Sequence, residues 1–280
     1  MTDELAQILS ANSISPDLFS ARTPDESVID GVVPCKGILD LWAKLAKAAT
    51  ESKYYPIIRG ADDYLPEIER DPAEILSKVP AGSVRELLLP RLRERASSIE
   101  GFIDELPERA KAELKTALSS DPPDFDVFGA AVDASGMNSM SGRTSPQPWP
   151  ESRETSKTVN FHTVRECKGK PVRLSLVRLT KSYEAPAYLN FGGWNDCPEP
   201  ELQVAVLREW RETYNARPIC LTGDVLECYV QQPPETEDAA MKLAAEQWIF
   251  CDDIVGQGTQ TVRKLAMEIW KSRTWFFWWD

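Results

Sequence analysis

At 280 residues the chain is long enough for one large domain or two modest ones. Its apolar, aromatic and charged fractions, 42%, 9% and 27%, are those of a soluble globular protein, and no run approaches the roughly 20 apolar residues that span a bilayer. A net charge of -12 repels phosphate backbones, which argues against nucleic acid and suits a basic protein partner.

The start, MTDELAQILS, is acidic where a secretion signal is basic, so neither export nor membrane insertion is expected. Residues 28–58 then read as strand, helix, strand. Val28–Val33 and Tyr55–Ile58 are short apolar runs, and Ile38, Leu41, Trp42, Leu45 and Ala49 share one helical face. A unit of this length predicts a parallel strand pair with a crossover helix.

Residues 61–118 are charge-rich and helical in pattern, with breaks at Asp71-Pro72 and near Ser83, where Pro in a first turn and Ser as an N-cap fit. Two to four helices are expected there. Arg91, Arg93 and Arg95 interleave with Glu86 and Glu94 and read as a solvated helix face. Residues 119–157, rich in Ser, Gly and Pro, read as a long, partly mobile connection.

From residue 158 the pattern tightens. KPVRLSLVRLT alternates as a strand, and APAYLNF reads as a second short strand ending at two glycines. Glu199–Tyr214 is a helix with Leu202, Val206, Leu207, Trp210 and Tyr214 on one face. RPICLTGDVLECYV reads as two strands turning at Thr222-Gly223. Pro233-Pro234 followed by carboxylates opens another helix, Val262–Trp270 forms one more, and TWFFWWD closes the chain as a strand.

Six cysteines (Cys35, Cys167, Cys197, Cys220, Cys228, Cys251) without a C-x-x-C spacing argue against a disulfide scaffold; they read as reduced thiols of a cytoplasmic protein, several of them buried.

GGWNDCPEPE, AVLREW with TYNA, DVLECYVQQPP, KLAAEQWIFCDDIVGQG and the terminal WFFWWD, in this order, resemble a bacterial family known as domain of unknown function 4253. The resemblance covers roughly residues 186–280, and Val28–Ile58 is similar to an amino-terminal portion that many members carry. It implies a compact carboxy-terminal α/β module and no particular activity. Some small acidic α/β bacterial proteins neutralise toxins, which is an analogy of class only.

The segment GGWNDCP admits several readings. As a strand-to-helix corner, Asp196 and Glu199 make a capping box, Pro198 fits a first turn, and Trp194 packs beneath. As a reactive site, Cys197 at a helix start would be a nucleophile with His162, the single imidazole, as base. As a metal site, Asp196, Cys197, Cys251, Asp252 and Asp253 would contribute, with Asp224 and Glu227 further off; the spacing fits no standard ligand pattern. A carboxylate pair of Asp224 and Glu227 is disfavoured, because residues three apart on a strand point to opposite faces.

These residues predict a mixed α/β protein: a central mixed sheet flanked by helices, with a helical insertion. The expected divisions are residues 1–118, a connection at 119–157, and a module at 158–280. The expected function is a non-enzymatic cytoplasmic interaction module binding a basic partner, with a toxin-neutralising immunity protein as one form. Trp194, Asn195, Asp196, Trp275, Trp278 and Trp279 are its candidate contacts, and no cofactor, nucleic acid or membrane is expected. The alternative is an enzyme or a metal- or ligand-binding domain centred on GGWNDCP and CDD.

Overall fold

The computed structural model describes residues 3–61, 67–100, 108–119, 123–135, 148–155 and 159–280. In chain order the elements are α1 (Asp3–Ala11), β1 (Phe19–Ala21), β2 (Val28–Val33), α2 (Ile38–Ser52), β3 (Tyr54–Ile58), α3 (Pro72–Ser77), α4 (Val84–Glu100), α5 (Glu108–Leu118) and α6 (Phe125–Ser135). There follow α7 (His162–Glu166), β4 (Val172–Arg178), α8 (Ala185–Leu189), α9 (Pro200–Tyr214), β5 (Ala216–Leu221), β6 (Val225–Val230), α10 (Glu237–Phe250), α11 (Val262–Ile269) and β7 (Thr274–Trp278). A π-helical turn, Ile254–Thr259, links α10 to α11.

The strands form one seven-stranded sheet, ordered β1-β2-β4-β3-β5-β6-β7. Both ends of the chain build it, as the sequence predicts for a mixed α/β protein. The expected parallel pairing of β2 with β3 is corrected, however. They run in the same direction, but β4 lies between them and pairs antiparallel with each. The one parallel contact is β3 with β5, at Ile58 and Cys220. Because β4 is central, its Val172, Leu174, Leu176 and Val177 are all fully buried, which replaces the half-buried alternation expected for it.

Among the described residues of 61–118, α3, α4 and α5 are helical. Asp71 caps α3 by accepting from the Ala73 N–H at 2.8 Å. Ser83 and Glu86 form a reciprocal capping arrangement ahead of α4, with the Glu86 carboxylate accepting the Ser83 N–H at 2.8 Å. Along α4, Val84, Leu88, Leu92, Ala96 and Ile99 make the buried stripe.

Two other expectations are corrected. The stretch 185–189, expected as a strand, is α8: Pro186 suits its first turn, and Asn190, at φ 48°, closes it in the left-handed region. The stretch 119–157 is not all connection. Its residues 123–135 carry α6, with Phe125, Phe128, Ala131 and Val132 buried and Phe128 stacked on Trp248 at 5.6 Å. Residues 136–147, where the mobile connection was expected, lie outside the described residues.

Helix α6 also holds the start of α11. The Asp133 carboxylate accepts the Val262 and Arg263 N–H groups at 2.7 and 2.8 Å. Burial pushes this carboxyl up to about 6, against the two backbone bonds and the charges of Arg263 and Lys264. A carboxyl raised in the folded state binds a proton there that the unfolded chain does not hold. Stability should therefore rise by about 1–3 kcal/mol as pH falls from 7 to 4. Asp133→Asn should flatten that part of the curve, measured as urea unfolding across pH 4 to 7; an unchanged slope would assign the pH response to other groups.

Cys35 and Cys167 are joined by a disulfide across 132 residues. This corrects the expectation that all six cysteines are reduced; Cys197, Cys220, Cys228 and Cys251 are free and buried. No helix among the described residues is long and apolar enough to cross a membrane.

Candidate functional site

The GGWNDCP corner is built as a tight return between α8 and α9. Gly192 sits at φ 120°, and a side chain there would place a carbon 2.0 Å from the Pro198 carbonyl oxygen, so only glycine fits. The Gly193 N–H is shared by the Cys197 and Pro198 carbonyls, both at 3.2 Å. Trp194 is half-buried, edge-on to Phe191 at 5.0 Å, and Asn195 is exposed at φ 45°.

The expected capping box is not formed. Glu199 itself is the N-cap of α9 and makes no side-chain cap bond, and its carboxylate lies over Gly193. Asp196 is drawn away to α4, where it pairs with Arg91 at 2.9 Å and Arg95 at 3.5 Å. Arg95 also pairs with Asp252 and lies 5.3 Å over the Trp248 ring. Trp248 in turn donates Nε1–H to Asp252 Oδ1 at 2.7 Å. Arg91 and Arg95, two of the three arginines that read as a solvated face, are thus a latch joining α4 to both carboxy-terminal motifs.

GGWNDCP and CDD therefore meet, but in packed, ion-paired surroundings. Cys197 and Cys251 are both buried. Burial, then the neighbouring Cys251 thiol, pushes the Cys197 thiol far above its ordinary value; burial pushes Cys251 up to about 12. Both stay protonated near neutral pH, which removes the thiolate that a nucleophile needs. His162 is placed instead at the start of α7, its ring against Phe276 at 5.1 Å. Among the described residues no group of three or more His, Cys, Asp or Glu is arranged to hold a metal ion.

Glu227, a weak candidate by sequence, has a structural post. It is 2% exposed and accepts the His162 and Thr163 N–H groups at 2.5 and 2.9 Å, fixing α7 over β6. Asp224 accepts the Trp278 Nε1–H at 3.0 Å.

Strand β7 divides its aromatics by alternation. Trp275, Phe277 and Trp279 point into the core, at 1%, 0% and 1% exposure. There they meet Trp210 and Phe250; Trp210 stacks on Phe277 at 5.5 Å. The expectation that Trp275 and Trp279 contact a partner is corrected, since both are consumed by this core. Phe276 and Trp278 face the other way, and Phe276 is 38% exposed.

β7 is also a sheet edge. Bonds from Trp279 N–H to Asp224 O (3.2 Å) and from Val230 N–H to Arg273 O (2.9 Å) set the phase of its ladder with β6. In that phase Trp275 and Phe277 bond to β6, while Thr274, Phe276 and Trp278 turn their backbone groups outward. The Ser272 hydroxyl engages Thr274, and the Cys251 thiol donates to the Trp278 carbonyl at 3.0 Å, so among the described residues Phe276 is the open rung. Beside it lies a cavity of about 590 Å³ whose lining includes Phe276, Trp278, Asp253, Glu268 and Arg153. Burial pushes the Glu268 carboxyl up, and Arg153 donates to the Met267 carbonyl at 2.7 Å. Phe276 was missed by a reading fixed on tryptophans, although strict alternation through WFFWW contains the signal.

Comparison with curated proteins and with solved structures returns no match. A family model does match the module that carries the GGWNDCP corner, the CDD segment and β7. The match begins at β4, earlier than the motifs suggest, and does not reach residues 28–58. Residues 173–280 match the family described as Domain of unknown function (DUF4253).

Proposed function

We propose that the chain is a non-enzymatic protein-interaction module whose β7 edge receives a basic, extended segment of a partner protein. The observation that carries this reading is the pairing of an open edge rung and an exposed Phe276 with the carboxylates Asp253 and Glu268 beside the same cavity. An added strand gains main-chain hydrogen bonds at such an edge, and a lysine or arginine gains both a carboxylate and an aromatic face. The net charge of -12 would steer a basic partner towards the chain. A toxin neutralised by this binding is one partner of that kind; a cytoplasmic setting goes with the reading through the four free thiols, with the Cys35–Cys167 disulfide standing against it.

An enzyme or ligand-binding centre at GGWNDCP and CDD is supported by the meeting of the two segments. Against it stand the protonated thiols and the arginines already spent on Asp196 and Asp252.

The test is capture from the native cells followed by titration of the purified partner. Wild type should bind a basic protein with an affinity that falls as salt rises. Phe276→Asp should weaken binding at least about tenfold, the loss of a central interface aromatic being worth more than 1.4 kcal/mol. Equal binding by wild type and Phe276→Asp would move the interface elsewhere, and turnover of a substrate without any protein partner would defeat the reading.

A further inference from the structure

Of the cysteines, Cys35 and Cys167 are bonded to each other and the other four are free and buried. Cys35 stands in the turn between β2 and α2, and Cys167 is the C-cap of α7. Both sulfurs lie against the Val164 carbonyl of α7. The bond spans 132 residues of chain, yet β2 and β4 already close that loop beside it, with Val33 paired to Val172 in the sheet register. What the bond adds to the folded chain is therefore local: it ties the carboxy end of α7 to the turn ahead of α2.

A helix of five residues does not hold itself in water. At the start of α7 the Glu227 carboxylate accepts the His162 and Thr163 N–H groups, and at its end stands the disulfide. Glu227 is also the register partner of Phe276, so the two side chains share the sheet face on which α7 lies. The His162 ring rests against Phe276 at 5.1 Å. One short helix thus connects the sulfur bond to the exposed aromatic of the β7 edge. Opening the bond moves its two sulfurs from covalent to van der Waals separation beside the Val164 carbonyl, and in a close-packed interior such a shift is passed on to the neighbouring backbone.

We propose that the Cys35–Cys167 disulfide is a redox switch, whose reduction by a dithiol releases α7, and with it the His162 ring, from Phe276 at the β7 edge. A single cross-link beside four free thiols has the pattern of a sensing bond rather than of a scaffold. Access is from the Cys35 side, which is 9% exposed against 1% for Cys167, with Pro34, Lys36 and Gly37 exposed around it. A thiolate of the reductant attacks the Cys35 sulfur, and Cys167 departs as a thiolate and takes up a proton. The second thiolate of the reductant then attacks the mixed disulfide, and Cys35 departs and is protonated in turn. The two electrons come from the dithiol, which leaves as its own disulfide, and the two protons are those its thiols released. Control of partner binding by this switch rests on the interaction reading; the movement of α7 does not.

The experiment follows the oxidised full chain before and after dithiothreitol, without denaturant. His162 is the single imidazole of the chain, so its proton NMR signals, displaced by the Phe276 ring current while the rings are in contact, report the position of α7 with no partner present. On reduction they should move towards those of a histidine away from any ring. Hydrogen exchange over His162–Glu166 should quicken at least about tenfold, while urea unfolding keeps one cooperative transition. Cys35→Ala should show the reduced pattern with no reductant and no response to dithiothreitol. Reduction of wild type decides the case even if that variant does not fold. Unfolding of the whole chain on reduction would make the bond a structural staple and overturn the switch. So would a bond that dithiothreitol leaves closed, seen as four rather than six alkylated thiols after denaturation, or one that opens with His162 signals and exchange unchanged.

Discussion

Arg95→Ala is expected to destabilise the chain by about 2–4 kcal/mol, the range for opening a largely desolvated ion pair together with a cation-π contact. The side chain keeps 16% exposure while it pairs with Asp196 and Asp252 and covers Trp248. The partners are more exposed than the arginine, at 53% and 36%, which holds the figure below that of a fully buried pair. Removing the guanidinium uncovers the Trp248 face and leaves Asp252 bound to Trp248 alone. It also weakens the hold of α4 on the GGWNDCP corner, because only Arg91 then reaches Asp196. Urea unfolding measures the loss, and a double-mutant cycle with Asp252→Asn apportions it. A coupling of about 1 kcal/mol or more identifies the ion pair as the source; a coupling near zero would assign the effect to packing over Trp248.

This latch also marks how far the sequence could be read. Helices α2, α9 and α11 and strands β2, β5, β6 and β7 follow from their spacing, because each buries one face against the core and the pattern records which. Spacing does not record distance through space. Arg91 and Arg95 sit four apart on a helix and look like any exposed charged pair, and nothing local indicates that Asp196 and Asp252 fold over them. Short elements failed for a related reason. Residues 185–189 are apolar on all sides, and a run that short does not distinguish strand from helix. Helix α6 was hidden by its small residues: Gly129 lies against Val262, where a side-chain carbon would touch at 3.6 Å, so the composition that suggested a loop is what lets α6 and α11 approach. Within the site, alternation along β7 was visible, but not which face the core would claim, since that depends on where α9 and α10 pack.

Glu227→Gln is expected to cost about 2–3 kcal/mol, although it changes one atom of a buried side chain. The carboxylate uses one oxygen for the His162 N–H and the other for the Thr163 N–H. An amide offers a single acceptor and turns its NH2 group towards the second N–H, so one buried donor is orphaned and faces another. The neighbouring Cys220 thiol, pushed well up by burial and then by this carboxylate, relaxes but cannot replace an acceptor at both amides. Hydrogen exchange should localise the damage, with protection lost first over His162–Glu166. The consequence reaches the proposed partner surface, because α7 carries the imidazole that rests against Phe276. Glu227→Gln should therefore weaken partner binding at the β7 edge while leaving every residue that lines its cavity in place. A variant within 0.5 kcal/mol of wild type in stability, with normal exchange over α7, would show that the helix needs no carboxylate beneath it. Intact stability with weakened binding would instead trace the effect to a small shift of the His162 ring that rests against Phe276.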